Sequence, residues 1–176
     1  MKTESLLNRE VDAILSMLMP DDALVMRVAI HTGLRISDVL SLRTSQLAPR
    51  FWVTEHKTKK RKQIGLPEPL LSDLKNNAGS IWVFPGKNPN YHRTRQTVWK
   101  DVKRAAAALR LVQNAAPHSA RKVYAVDLMQ KYGDFERVRR ALNHSSASVT
   151  LIYALADKQL ENKYRRRRSA PGRRKV

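Results

Sequence analysis

Phe51-Trp52-Val53-Thr54-Glu55-His56-Lys57-Thr58-Lys59-Lys60-Arg61-Lys62-Gln63-Ile64-Gly65-Leu66 is where the hydrophobic period of this chain changes. Two short β-rich runs, Phe51–Thr54 and Lys62–Leu66, bracket a basic turn from Lys57 to Arg61, which is the pattern of a hairpin. On both sides of it the spacing is helical. Upstream, Val11, Ile14, Leu15 and Leu18 follow a cap at or near Asn8, and Pro20 ends that run. Asp21 and Asp22 open a second helix, Ala23 to about Thr32, closed by Gly33. Ser37 reads as the cap of a short third helix through Leu42.

Downstream of the hairpin, Pro67 opens a helix to about Asn76, and Ile81–Phe84 reads as a third strand stopped by Pro85 and Gly86. Helices are expected from about Thr94 to Leu109, His118 to Lys131, Phe135 to Leu142 and Ser146 to Ala154, with Asp157 to Tyr164 helical as well. The expected fold is therefore mainly α with a small three-stranded antiparallel β-sheet, class α+β, in one domain over residues 1–164. Residues 165–176, opening with four consecutive arginines, are expected to form a disordered basic tail.

Charge is the loudest bulk property. Thirty-four Lys and Arg against 15 Asp and Glu give a formal net charge of +19, while the 42% hydrophobic content is that of an ordinary globular chain. Such self-repulsion usually answers a polyanion, and nucleic acid leads. A membrane surface would want the basic residues on one amphipathic helix, whereas here they are spread along the chain. No apolar stretch is long enough to span a bilayer, and the start at Met1 does not read as a secretion signal. The chain has no Cys, which excludes disulfides, thiolate metal sites and cysteine nucleophiles and suits a reducing cytoplasm.

The chemistry-bearing residues are two arginines, two histidines and a late tyrosine. Arg35 follows the Gly33 turn, and Arg121 lies three residues after His118, so that both side chains of that pair share a helix face. His144 is followed nine residues later by Tyr153. Metal-free transfer of a phosphodiester needs cations for the extra charge of the transition state, a nucleophile, and an acid for the leaving oxygen. Guanidinium suits the first task because its planar fork grips two phosphate oxygens and stays charged. Any one of these arginines is, in so basic a chain, most simply a solvated surface charge. Their joint pattern points to chemistry. His31, His56 and His92 have no comparable setting, and Tyr91, Tyr124, Tyr132 and Tyr164 read as ordinary half-buried aromatics.

Four segments carry a resemblance. Thr32-Gly33-Leu34-Arg35-Ile36-Ser37-Asp38-Val39-Leu40-Ser41-Leu42 resembles the first arginine box of the tyrosine recombinases, the integrase family of phages and bacteria. His118-Ser119-Ala120-Arg121 resembles the second box, and Leu142-Asn143-His144 with Tyr153 resembles the last. Glu55 to Pro67 is similar to the family's β-hairpin. The resemblance spans roughly residues 5 to 160, with the boxes in family order.

It implies the integrase catalytic-domain fold and the cleavage and rejoining of double-stranded DNA through a 3′-phosphotyrosyl link. Tyr153 would be the nucleophile; Arg35, Arg121 and His144 would stabilise the transition state. Lys57 would be the general acid, His118 a proton acceptor or shuttle, and Asp38 a support for the site from outside it. Lys59, Lys60, Arg61 and Lys62 would contact DNA, and any of the neighbouring lysines competes with Lys57 for its role.

Two positions depart from the family pattern. Asn143 stands where Gly is usual, and Asn is the next most tolerant of a left-handed backbone; Ala120 replaces a Leu, losing apolar packing. The resemblance implies no metal or nucleotide cofactor. It implies a homo-tetramer on DNA through the segment after Tyr153, Asp157 to Tyr164, and a nucleoid-associated, cytoplasmic protein. The resemblance would lead one to expect an N-terminal clamp domain as well, and no segment of these 176 residues is expected to supply it. This leaves a minimal member, a dissected catalytic domain, or a protein acting beside another recombinase. The alternatives are a topoisomerase-like nicking and closing enzyme, a DNA-binding accessory protein that kept only the fold, and nucleic-acid packaging on charge alone.

Overall fold

The computed structural model of the protein describes residues 8–111 and 114–143. Helix α1 (Asn8–Met17) is followed by α2 (Pro20–Thr32), the short α3 (Ile36–Leu40) and a single 3-10 turn at Thr44–Gln46. Strands β1 (Arg50–Thr54) and β2 (Arg61–Gly65) form the hairpin; then come α4 (Glu68–Asn77), α5 (Arg95–Ala108), α6 (Pro117–Tyr132) and α7 (Phe135–Leu142). The expected helix Ser146 to Ala154, the segment Asp157 to Tyr164, the tail 165–176, and the residues His144 and Tyr153 lie outside the described residues. Among the described residues no helix is long and apolar enough to cross a membrane.

Helix α2 is the centre of the fold. Pro20 occupies its first turn, where a missing N–H costs nothing, and Asp21 and Asp22 complement the positive end of the helix dipole. Leu24, Val25, Met26, Val28 and Ala29 are all buried, because α1, α3, α4, α5 and α6 pack around it. The core they share takes Ile14 from α1, Val39 and Leu40 from α3, Leu71 and Leu74 from α4, and Val98 and Val102 from α5. Asp101 of α5 ties the α1–α2 corner into this core: its carboxylate accepts from the Met19 N–H at 2.8 Å, and Arg104 spans from Asp101 to the Met17 carbonyl. A smaller cluster, Ala125, Val138 and Leu142, packs α7 on α6.

The sheet is the antiparallel pair β1–β2, in register Arg50↔Gly65 through Thr54↔Arg61. Phe51, Val53 and Ile64 face the core while Trp52 faces solvent. The expected third strand, Ile81–Phe84, does not join it; among the described residues the sheet has two strands. Val83 and Phe84 are buried as a strand's would be, but the segment divides its backbone bonds between two neighbours. Val83 N–H donates to the Leu42 carbonyl and the Ile81 carbonyl accepts from Thr44 N–H, whereas the Phe84 carbonyl accepts from Arg93 N–H. With its bonds divided in this way, the segment forms only the isolated bridges Arg43↔Trp82 and Pro85↔His92, and Gly86 N–H adds one bond to the Tyr91 carbonyl at 2.8 Å.

One cap also differs. Helix α3 is capped by Arg35 rather than Ser37, its carbonyl accepting from the N–H of Asp38 at 2.8 Å and of Val39 at 3.0 Å. Gly33 closes α2 in the left-handed conformation (φ 66°) with its N–H on the Ala29 carbonyl, and Asn143 closes α7 in the same region (φ 50°, ψ 34°), as the tolerance of Asn allows. Ala120 is buried and borders a small apolar gap that Ile14, Met26 and Val123 also line.

Gly33 is constrained twice over: its φ is positive, and a Cβ there would run into the Tyr124 ring. Gly33→Ala should therefore destabilise the protein by more than the roughly 1–2 kcal/mol that the left-handed backbone alone imposes. Urea unfolding of the two proteins measures the difference.

Candidate active site

The α2–α3 turn, the far side of the hairpin and the first turns of α6 meet at one place. Arg35 leaves the turn as the cap of α3; His118 and Arg121 leave α6 one helical turn apart; Lys57 leaves the hairpin loop. These four line a single open pocket of about 610 Å³, whose apolar wall includes Ile36, Trp99 and Pro117.

Arg121 is only 3% exposed. It donates from Nη1 to the Gly33 carbonyl at 2.6 Å and from Nη2 to the Leu142 carbonyl, which precedes Asn143 and His144. Its third neighbour is a carboxylate, Glu55 Oε1, at 3.7 Å. Burial first, and then the charge of Arg35, bring Arg121 down to about 10, against the opposing pull of Glu55 and Asp38. It remains a cation at neutral pH.

Glu55 was no candidate from sequence, yet it lies at the middle of the cluster with no exposed surface. Its Oε2 accepts from Arg35 Nη1 at 2.9 Å and from Thr58 Oγ1 at 2.7 Å. Burial pushes its pKa upward, but the hydrogen bonds from Thr58 and Arg35 and the charges of Arg35 and Arg121 outweigh it and hold the carboxyl below its ordinary range. The signal was present in the strand alternation: Phe51, Val53 and Glu55 share one face, and the first two are core residues.

His56 was missed for the same reason that any lone histidine is. Asp38, fully buried on α3, takes both the His56 N–H (3.0 Å) and ring Nδ1 (2.9 Å) on its Oδ1. Asp38 thus supports the hairpin rather than touching the pocket.

His118 opens onto the pocket. Partial burial first, and then Arg121, Lys122, Arg35 and Lys57, hold its pKa below the usual histidine value, favouring the neutral ring at neutral pH. Lys57, Lys59, Lys60 and Arg61 are exposed on the hairpin. Lys62 is not with them. It shares the inward face with Ile64, and its Nζ donates to the Thr32 carbonyl at 2.6 Å and lies 5.0 Å from the centre of the Tyr124 ring. That direction of the side chain, set by the period-two pleat, turns it away from the exposed basic face of the hairpin. Burial, with help from Arg121, brings its pKa down to about 8.

With this geometry in place, comparison with known proteins is decisive. A model of the phage integrase family matches residues 4–159. The chain belongs to the phage integrase family. The probable integrase/recombinase YoeC of Bacillus subtilis (strain 168) is 31% identical over 130 residues, covering 70% of this chain and 71% of that protein. The tyrosine recombinase XerD of Rhizobium meliloti (strain 1021) is 31% identical over 133 residues, covering 69% of this chain but only 43% of XerD. The chain therefore spans about half the length, or less, of such longer family relatives.

Among solved structures, the catalytic domain of bacteriophage HP1 integrase superposes with a TM-score of 0.63 at 20% identity, covering 89% of this chain and 88% of that one. XerH recombinase bound to its difH substrate in a post-cleavage complex gives 0.70 at 23% identity, covering 92% of this chain and 52% of that one. These similarities establish the integrase catalytic fold.

Lys62 allows a test of the inward hairpin face. Its folded pKa of about 8 lies below the ordinary 10.5, so the unfolded chain binds more protons between those values and stability from this group rises with pH across that window. Wild type should gain stability relative to Lys62→Met between pH 8 and 10.5, read from urea midpoints at successive pH values.

Proposed function

We propose that this integrase-family chain is the catalytic domain of a site-specific DNA recombinase that cuts and rejoins double-stranded DNA through a 3′-phosphotyrosyl intermediate. The observation that carries the reading is the convergence of Arg35 and Arg121 on one pocket that Lys57 and His118 also line. The net charge of +19 supports a polyanionic partner.

In this reading the Tyr153 oxygen attacks the scissile phosphorus and the bond from phosphorus to the 5′ oxygen breaks. The tyrosine proton passes to His118, whose neutral ring is ready to accept it, and Lys57 protonates the departing 5′ oxygen. Arg35, Arg121 and His144 balance the charge on the non-bridging oxygens as the transition state forms. Rejoining is the reverse, with a 5′-hydroxyl of the new partner strand as attacking group. Lys59, Lys60 and Arg61 add phosphate contacts from the exposed hairpin, and Asp38 holds that hairpin through His56.

Residues 1–164 form the catalytic unit and residues 165–176 a basic tail that adds electrostatic affinity. Assembly is a tetramer on two DNA sites, exchanged through Asp157 to Tyr164, either among copies of this chain or beside a second recombinase. Such a protein works at the nucleoid.

The test is covalent capture on a pool of nicked suicide duplexes. Wild type should leave a detergent-resistant protein–DNA adduct, and Tyr153→Phe should bind DNA but leave none. Arg35→Ala should reduce adduct formation by about 10²–10³-fold, the usual loss on removing one charge-stabilising donor. DNA binding by wild type without any adduct would instead favour the accessory-protein reading.

A further inference from the structure

The recombinase reading accounts for the cations of the pocket but assigns no task to the anion between them. Glu55 is the residue that three structural units share. Its backbone closes the hairpin loop, with Lys59 N–H on the Glu55 carbonyl at 2.9 Å and Glu55 N–H on the Lys60 carbonyl at 3.0 Å. Its side chain reaches Arg35 of the α2–α3 turn at 2.9 Å and faces Arg121 of α6 at 3.7 Å. The loop between these anchors contains Lys57. His56 on one side of that lysine is held by Asp38, and Thr58 on the other donates to Glu55 itself.

A lone buried carboxylate is expensive, and a well-packed apolar residue in its place is often no worse for stability. Its position here answers a different requirement. Two guanidinium groups aimed at one pocket repel each other, and two cations that share one anion take a defined separation. A phosphate between them then meets a preformed pair.

We propose that Glu55 is a positioning residue, an internal counter-anion that holds Arg35 and Arg121 as a pair and registers the hairpin loop bearing Lys57 against them. The proposal rests on the recombinase reading for its consequence in catalysis. Its electrostatic core does not depend on that reading. Glu55 touches no substrate; it acts through the two arginines it binds and the loop whose backbone it closes.

Glu55→Gln keeps the shape and one acceptor oxygen while removing the charge. Single-turnover adduct formation should slow by about 10- to 100-fold, the scale of a misplaced reacting group, while DNA affinity by fluorescence anisotropy stays equal or becomes tighter. Inorganic sulfate, titrated calorimetrically against the protein without DNA, should bind the Gln variant several-fold more tightly than wild type, since the competing anion is gone. Glu55→Asp, which restores the charge, should recover part of the rate. Thr58→Val, which removes only the hydrogen bond onto Oε2, should lower the rate less than Glu55→Gln while leaving the melting temperature near that of wild type.

Three outcomes overturn the proposal: a Gln variant that cleaves at the wild-type rate, one whose whole loss is weaker DNA binding, or one with unchanged sulfate affinity. If wild type forms no adduct, the recombinase reading fails by itself, and the sulfate comparison still decides whether Glu55 is the counter-anion. Should Glu55→Gln not fold, the rate of Thr58→Val decides, and a wild-type rate there counts against the proposal.

Discussion

Everything at this site depends on a guanidinium group that has almost no contact with solvent. Arg121 can be buried only if its donors are answered, because an unpaired buried cation costs several kcal/mol. The Gly33 carbonyl, the Leu142 carbonyl and the Glu55 carboxylate surround it. Each belongs to a different part of the chain: the turn after α2, the end of α7, and the end of β1. Each is followed within two residues by a residue assigned to the reaction or its support, namely Arg35, His144, and the pair His56 and Lys57. One charge on α6 therefore sets the mutual positions of the three segments.

The distribution of acids extends this logic. In a chain with 15 acidic residues against 34 basic ones, acids are scarce on the surface and valuable inside. Asp22, Asp38, Glu55 and Asp101 are buried, and each binds a specific partner. Asp22 pairs with Arg93 at 2.5 Å, Asp101 holds the α1–α2 corner, Asp38 holds His56, and Glu55 holds Arg35. The first pair locks the chain entering α5 to the start of α2, and the last two pin the hairpin. The excess positive charge is left on exposed elements, where it suits a polyanion. The interior anions keep that excess from loosening the loops on which the site is built.

Much of this was legible before any coordinates. Helical spacing, Pro20 and Gly33 placed α1 and α2 closely, and the period change at Phe51 placed the hairpin. The box pattern named Arg35, His118 and Arg121, which do share a pocket. Three features were not read. Ile81–Phe84 has a strand's composition, but composition does not say which neighbour offers backbone groups, and here two neighbours share them. Glu55 and Lys62 sit in a basic hairpin whose charge draws the eye to solvent, although the alternation Phe51, Val53, Glu55 and the sharing of one face by Lys62 and Ile64 point both inward. His56 gained its setting from Asp38, eighteen residues away in the chain, a contact that no local pattern encodes.

The sequence by itself determined the helices seen among the described residues, the hairpin and the charge, because each follows from local periodicity, backbone preference or residue chemistry. Only the tertiary structure decided which side chains share an anion and which turn away from solvent. Burial and ion pairing arise where distant segments pack, and a charged residue's role reverses between surface and interior: the hairpin's Glu55 becomes a clamp on two arginines, and its Lys62 a fastener on the Thr32 carbonyl.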